Sequence, residues 1–122
     1  MKIAAGAALL AALLVTSPAA AQTCKPGDAK MAGLYTLGGV METGSQILLN
    51  ANGSFRYMLA YGAVDEAAEG CWQRNGASIT LIPTKMQVSR GGTKFERLEL
   101  PVDASGDLVR QFGARRGVYS RR

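Results

Sequence analysis

Ser54-Phe55-Arg56-Tyr57-Met58-Leu59-Ala60 decides the fold. Phe55, Tyr57 and Leu59 fall on one side of an extended chain and Arg56, Met58 and Ala60 on the other, the period-2 pattern of a half-buried β-strand. Asn50-Ala51-Asn52-Gly53 stands directly before it, and asparagine and glycine tolerate the positive φ that a tight turn requires. Working outward, similar short runs recur between Gly, Asn and Asp breaks. Upstream, strands are predicted over residues 33–37, ended by Gly38-Gly39, and over 45–49. Downstream, residues 69–74 place Cys71 and Trp72 on opposite faces, Asn75-Gly76 is a strong hairpin signal, and 77–82 returns with Ile79 and Leu81 on one face.

Between these, residues 63–68 read as a loop, too short and too weakly amphipathic for a helix. Pro83 is expected to close its strand because proline cannot donate to a ladder, leaving a ragged strand at 86–89 before Gly91-Gly92. Residues 94–102 carry Leu98, Leu100 and Val102 in phase. The turn Asp103-Ala104-Ser105-Gly106, a strand at 108–112 and a last strand at 117–121 complete the chain. The expectation is an all-β protein, an antiparallel meander of about eight strands that closes into a small barrel or folded-over sheet to bury its edges. No segment beyond the first 21 residues reads as helical.

Those 21 residues read as a cleaved signal peptide. Lys2 precedes an apolar run from Ala7 to Val15, a Thr16-Ser17-Pro18 break and the small-residue site Ala19-Ala20-Ala21. The apolar run is too short to span a bilayer, so a membrane anchor is not expected. The predicted organisation is residues 1–21 as signal peptide and 22–122 as a single all-β domain, periplasmic or secreted. Cys24 lies near the cut, but Ala21 and Thr23 occupy the positions that lipoprotein processing reads, so a lipid-anchored form is not expected.

In an oxidising compartment Cys24 and Cys71, the only two cysteines, are predicted to form a disulfide. A loop of that length implies about 4 kcal/mol of stabilisation in the chain-entropy account. The pair lacks the short spacing of redox or metal motifs. The chain contains no histidine, which excludes Ser-His-Asp triads, Cys-His dyads and histidine-ligated metals. No catalytic residue, metal or cofactor is implied. The enzymatic alternative is a small hydrolase built on carboxylates, for example Glu42, or Asp65 with Glu69.

The ordered set Gly33-x-Tyr35, Leu49-x-x-x-Gly53-x-Phe55, Gly70-x-Trp72 and Ile79-x-Leu81 resembles the meander of small lipocalin-like domains of secreted bacterial proteins, the META and envelope-lipoprotein group. The resemblance covers residues 33–81, about half of the mature chain. It implies a fold and carries no site, and the Cys-x-x-Cys of the copper-responsive envelope lipoproteins is missing.

Two constellations suggest contacts. Phe55, Tyr57, Tyr61 and Trp72 are candidates to line a pocket for a small hydrophobic ligand, with core filling as the plainer role. Arg110, Arg115, Arg116, Arg121 and Arg122 follow one another with no acid between them and would suit an anionic envelope surface or partner. Their plainer role is to guard an exposed edge strand. Asp65, Glu66 and Glu69 are expected to form an acidic loop of opposite sign. The net charge of +5 does not point to nucleic acid, given the export signal and one basic segment. The function expected is therefore a non-enzymatic envelope binding or interaction module.

Overall fold

A computed structural model describes residues 23–121. The predicted signal peptide and Arg122 lie outside the described residues. Eight antiparallel strands run β1 (Gly33–Gly38), β2 (Thr43–Leu49), β3 (Ser54–Tyr61), β4 (Val64–Asn75), β5 (Ser78–Val88), β6 (Leu98–Pro101), β7 (Leu108–Phe112) and β8 (Arg115–Arg121). Their order in the sheet is β6-β5-β4-β3-β2-β1-β8-β7. A single bridge between Val102 and Leu108 brings the two ends together, so the meander forms a nearly closed barrel.

The alternation quoted at the outset sets the inside. Phe55 and Tyr57 are buried on β3, and their register partners follow: Ile47 and Leu49 on β2, Ala68 on β4. Tyr35, Trp72, Ile79, Leu81, Leu100, Leu108 and Tyr119 complete a packed interior. The turn before β3 forms as its residues demand. Gly53 takes φ +95°, and Asn52 Oδ1 accepts from Ser54 N (2.9 Å) and Ser54 Oγ (2.8 Å). A Cβ at residue 53 would overlap the Lys25 carbonyl, so the N-terminal segment packs where only glycine leaves room.

Four expectations are corrected. Of residues 63–68 only Ala63 belongs to a turn: β4 begins at Val64, and its residues 64–71 pair with β3, Tyr61 opposite Val64. The alternation there was disguised because Glu66, Ala68 and Gly70 occupy the inward phase. Pro83 does not end β5, which continues to Val88. Proline is accommodated because the register shifts between Glu69 and Gly70, Gly70 pairing with Pro83 and Glu69 with Lys85. Thr84, next to the proline, is the extra residue of a β-bulge, one of the places where a sheet tolerates proline. β6 is shorter than expected because residues 89–97 leave the sheet and fold over one end of the barrel, with Phe95 half-buried there. Finally, β8 is no edge: it lies between β1 and β7.

The one helical feature among the described residues is a 3-10 turn, Ala29–Met31, capped by Asp28, whose Oδ1 accepts from Lys30 N at 2.9 Å. It seats Met31 in the core. No helix of the described residues is long and apolar enough to cross a membrane.

Candidate functional site

The two ends of the barrel differ in chemistry. One is sealed. The Cys24–Cys71 disulfide, Cα–Cα 5.5 Å, ties the N-terminal segment to β4. That segment lies so close to Trp72 that a Cβ on Gly27 would overlap the indole. The indole Nε1–H donates to Asn50 O (2.8 Å) and the Tyr35 hydroxyl to Met31 O (2.7 Å). With Phe55 and Leu49 beside them, these groups fill the sealed end. A disulfide of this kind favours an oxidising compartment.

The other end is polar inside. β7 is extended, so Leu108, Arg110 and Phe112 share the inward phase, and Arg110 faces Gly117 across the β7–β8 ladder. The Arg110 side chain therefore enters the barrel. Its Nη1 donates to Tyr57 Oη (3.1 Å) and to Tyr119 Oη (3.3 Å). Its Cζ lies 4.6 Å from the Phe112 ring centroid and 5.6 Å from that of Tyr57, within cation–π reach. Tyr57 Oη donates in turn to Glu66 Oε1 (2.7 Å), and Glu66 Oε2 accepts the Thr93 backbone N–H (2.9 Å). On the other side Ser45 Oγ lies 2.9 Å from Tyr119 Oη and donates to Met58 O at 2.7 Å. Ser45, Tyr57, Glu66 and Tyr119 are all buried.

A continuous chain Ser45–Tyr119–Arg110–Tyr57–Glu66 thus crosses the barrel. The loop over this end completes it: Phe95 packs edge-on against Tyr57, centroids 5.3 Å apart, and its N–H meets Met86 Sδ at 3.3 Å. Burial pushes the Tyr57 phenol far above its ordinary range, and the Arg110 cation only partly offsets this. Tyr57 therefore stays protonated as a bridge between the cation and the carboxylate. For Arg110, burial works against the charge, but Tyr57 and then Tyr119 outweigh it and raise its pKa above the ordinary value.

The arginine run does not form one surface. Arg110 points inside. Arg115 and Arg116 are exposed near the Phe112–Arg115 end of the hairpin. Arg121 folds back to donate through Nη1 to Lys30 O (2.8 Å) and Ala32 O (3.0 Å), its Cζ 5.1 Å from the Tyr35 ring centroid. The expected acidic loop also separates, because β4 turns Glu66 inward and leaves Asp65 and Glu69 outward. Asp65 and Glu69 are four residues apart on one strand, about 13 Å at the usual rise, beyond the spacing of a glycosidase acid/base pair. Glu42 stands exposed at φ 58° in the β1–β2 turn.

Of the four aromatics singled out in the sequence, Phe55, Tyr57 and Trp72 are interior and Tyr61 is exposed. Phe55 and Trp72 belong to the sealed end and Tyr57 to the polar one. A hollow of about 500 Å³ lies on the outer face, where Leu34, Leu48 and Met58 are flanked by Arg56, Glu69 and Lys85. A second, of about 430 Å³, lies beside the disulfide, with Trp72 and Ile82 in its wall. Among the described residues no group of three or more Cys, Asp or Glu could hold a metal ion. Sequence reading missed Glu66, Tyr119 and Ser45 as site residues; the signal for Glu66 was its phase, even-numbered with Trp72. Comparison with family models, curated proteins and solved structures returned no match.

Proposed function

We propose that this chain is a non-enzymatic binding module of the bacterial periplasm or envelope, exported by its leader and built as a lipocalin-like barrel. The observation that carries the reading is the polar end of the barrel, where a half-buried guanidinium is fixed by two buried phenols. Its hydrogen-bonding groups are held by neighbours rather than set up as nucleophile and base, since Tyr57 is kept protonated by burial. That is a recognition surface rather than a reaction centre. The aromatic end cannot serve as a ligand cavity while Phe55, Trp72, Tyr35 and Met31 fill it, so contact is assigned to the Arg110 end. Arg115 and Arg116 beside it add positive charge that draws in anionic ligands or surfaces. The test is native mass spectrometry of protein purified from the periplasm. A processed mass beginning at Gln22, less two hydrogens for the disulfide, with a co-purifying small anion supports the reading. An unprocessed chain, or one retained in the cytoplasm, refutes it.

A further inference from the structure

A guanidinium carries five N–H donors, and their accounting at Arg110 leaves one edge free. Both Nη1 hydrogens are taken, by Tyr57 Oη at 3.1 Å and Tyr119 Oη at 3.3 Å. Nε and Nη2 have no partner among the described residues, yet every fully enclosed side-chain polar atom there has one. These two nitrogens therefore reach solvent. They lie along one side of the guanidinium plane, the edge that binds two oxygens of a carboxylate or phosphate side by side.

The proton directions around Arg110 restrict the ligand further. Ser45 has a single hydroxyl hydrogen and gives it to Met58 O, so in the 2.9 Å contact with Tyr119 the phenol is the donor. Tyr57 gives its hydrogen to Glu66. Both phenols thus donate away from Arg110 and accept from it, and neither has a hydrogen left for a ligand. The free edge offers N–H donors only, so it suits a group that accepts two bonds and brings negative charge. The ion pairs among the described residues are Arg74–Asp28 and Arg97–Glu99, and Arg110 is in neither. Its nearest linked carboxylate, Glu66, is one phenol away. A partly buried cation with a fixed edge and no direct counter-ion is a site prepared for one.

We propose that the Nε–Nη2 edge of Arg110 binds the carboxylate of a small monoanionic ligand whose apolar body rests on the half-buried rings of Phe112 and Phe95. This names the ligand class for the binding module inferred above and rests on that reading. Phe112 lies against the guanidinium at 4.6 Å and Phe95 packs on Tyr57, so the apolar surface adjoins the charge. The guanidinium is already oriented, which removes much of the ordering penalty of binding.

The test follows the Arg110 Nε–H resonance of the full mature, oxidised protein by ¹H–¹⁵N NMR during titration with octanoate, then inorganic phosphate, then phosphatidylglycerol vesicles. The expected result is a saturable shift of that resonance with octanoate, a weaker response to phosphate, and at least tenfold weaker octanoate binding by Arg110→Lys, which keeps the charge but loses the fork. Lys25→Ser, an exposed cation at the sealed end, should change binding less than threefold. Octanoate that leaves the Arg110 signal unmoved at millimolar concentration overturns the proposal, as does equal binding by Arg110→Lys. Should Arg110→Lys fail to fold, the wild-type resonance decides alone. Binding to vesicles or phosphate without octanoate also overturns the carboxylate assignment while leaving the binding module standing; only the processing and location measured above decide that.

Discussion

Replacing Tyr57 by phenylalanine removes one oxygen atom and both links that join Arg110 to Glu66. The ring remains, with its Phe95 contact and its buried position, so packing is nearly unchanged. Hydrogen bonds to charged groups contribute about 1.5–3 kcal/mol each. The Glu66 bond should count near the upper end, since its 2.7 Å donor is lost inside the barrel and Oε1 is left without a partner. The Arg110 bond counts for less, because the guanidinium reaches solvent and keeps Tyr119. Together these give an expected destabilisation of about 3 kcal/mol. Tyr119→Phe loses a neutral bond to Ser45 and one shared bond from Arg110, about 1.5 kcal/mol, and Tyr35→Phe loses one neutral bond to Met31, about 1 kcal/mol. Urea unfolding monitored through Trp72, the only tryptophan, measures all three. The order Tyr57, Tyr119, Tyr35 is the prediction. If Tyr57→Phe costs under about 1 kcal/mol, or no more than Tyr119→Phe, the carboxylate is not held as described and the network reasoning fails.

Alkaline pH tests the same phenol. Its folded pKa is raised, so its contribution is complete below the ordinary phenol value near 10 and is lost as pH climbs beyond it, when the unfolded chain releases the proton first. Stability of the wild type should fall above that pH with a slope that Tyr57→Phe reduces; an unchanged slope in the variant contradicts the assignment. Reduction of Cys24–Cys71, 47 residues apart, should cost about 4 kcal/mol and lower the melting temperature by roughly 15–30 °C. A reduced protein within 1 kcal/mol of the oxidised one, on the same urea curve, refutes this. Gly70→Ala should cost about 3 kcal/mol because its Cβ would overlap the Ile82 carbonyl and crowd the Pro83 backbone, while Gly117→Ala meets only the movable ends of Leu37, Phe112 and Val40 and should cost about 1 kcal/mol. Equal costs for the two glycines would show that the bulge at Pro83 is not as rigid as its geometry indicates.

The parts of the fold legible in the sequence are those where one rule acts alone. The alternation of Phe55, Tyr57 and Leu59, the Asn-Gly turns and the two cysteines each depend on local chemistry, and each stands where it was expected. Pro83 misled because two rules compete at that position: proline ends a ladder, but a sheet tolerates it at a bulge. Residues 63–68 misled for a related reason. A carboxylate in the inward phase of a strand reads as solvent-facing unless its partner is known, and the partner of Glu66 is a phenol on another strand.

The candidate site was half legible for the same reason. Tyr57 and Arg110 were both singled out, but in separate constellations, one as a greasy wall and one as part of a charged tail. Nothing along the chain brings them together, since they are 53 residues apart and meet only because the barrel closes. Composition showed five arginines and no acid near the C-terminus, which reads as a uniform surface. The inside–outside alternation of β7 and β8 sends Arg110 inward and sets Arg121 opposite Tyr35, while Arg115 and Arg116, on opposite phases, are both exposed because they stand at the hairpin end. Charge density along a strand therefore says little about charge density on a face: neighbours in sequence point to opposite sides, and the phase relative to a known core residue is what sorts them. Tyr119 supplies that phase here. Counting back along β8 to Gly117 and across the ladder to Arg110 places the guanidinium inside the barrel.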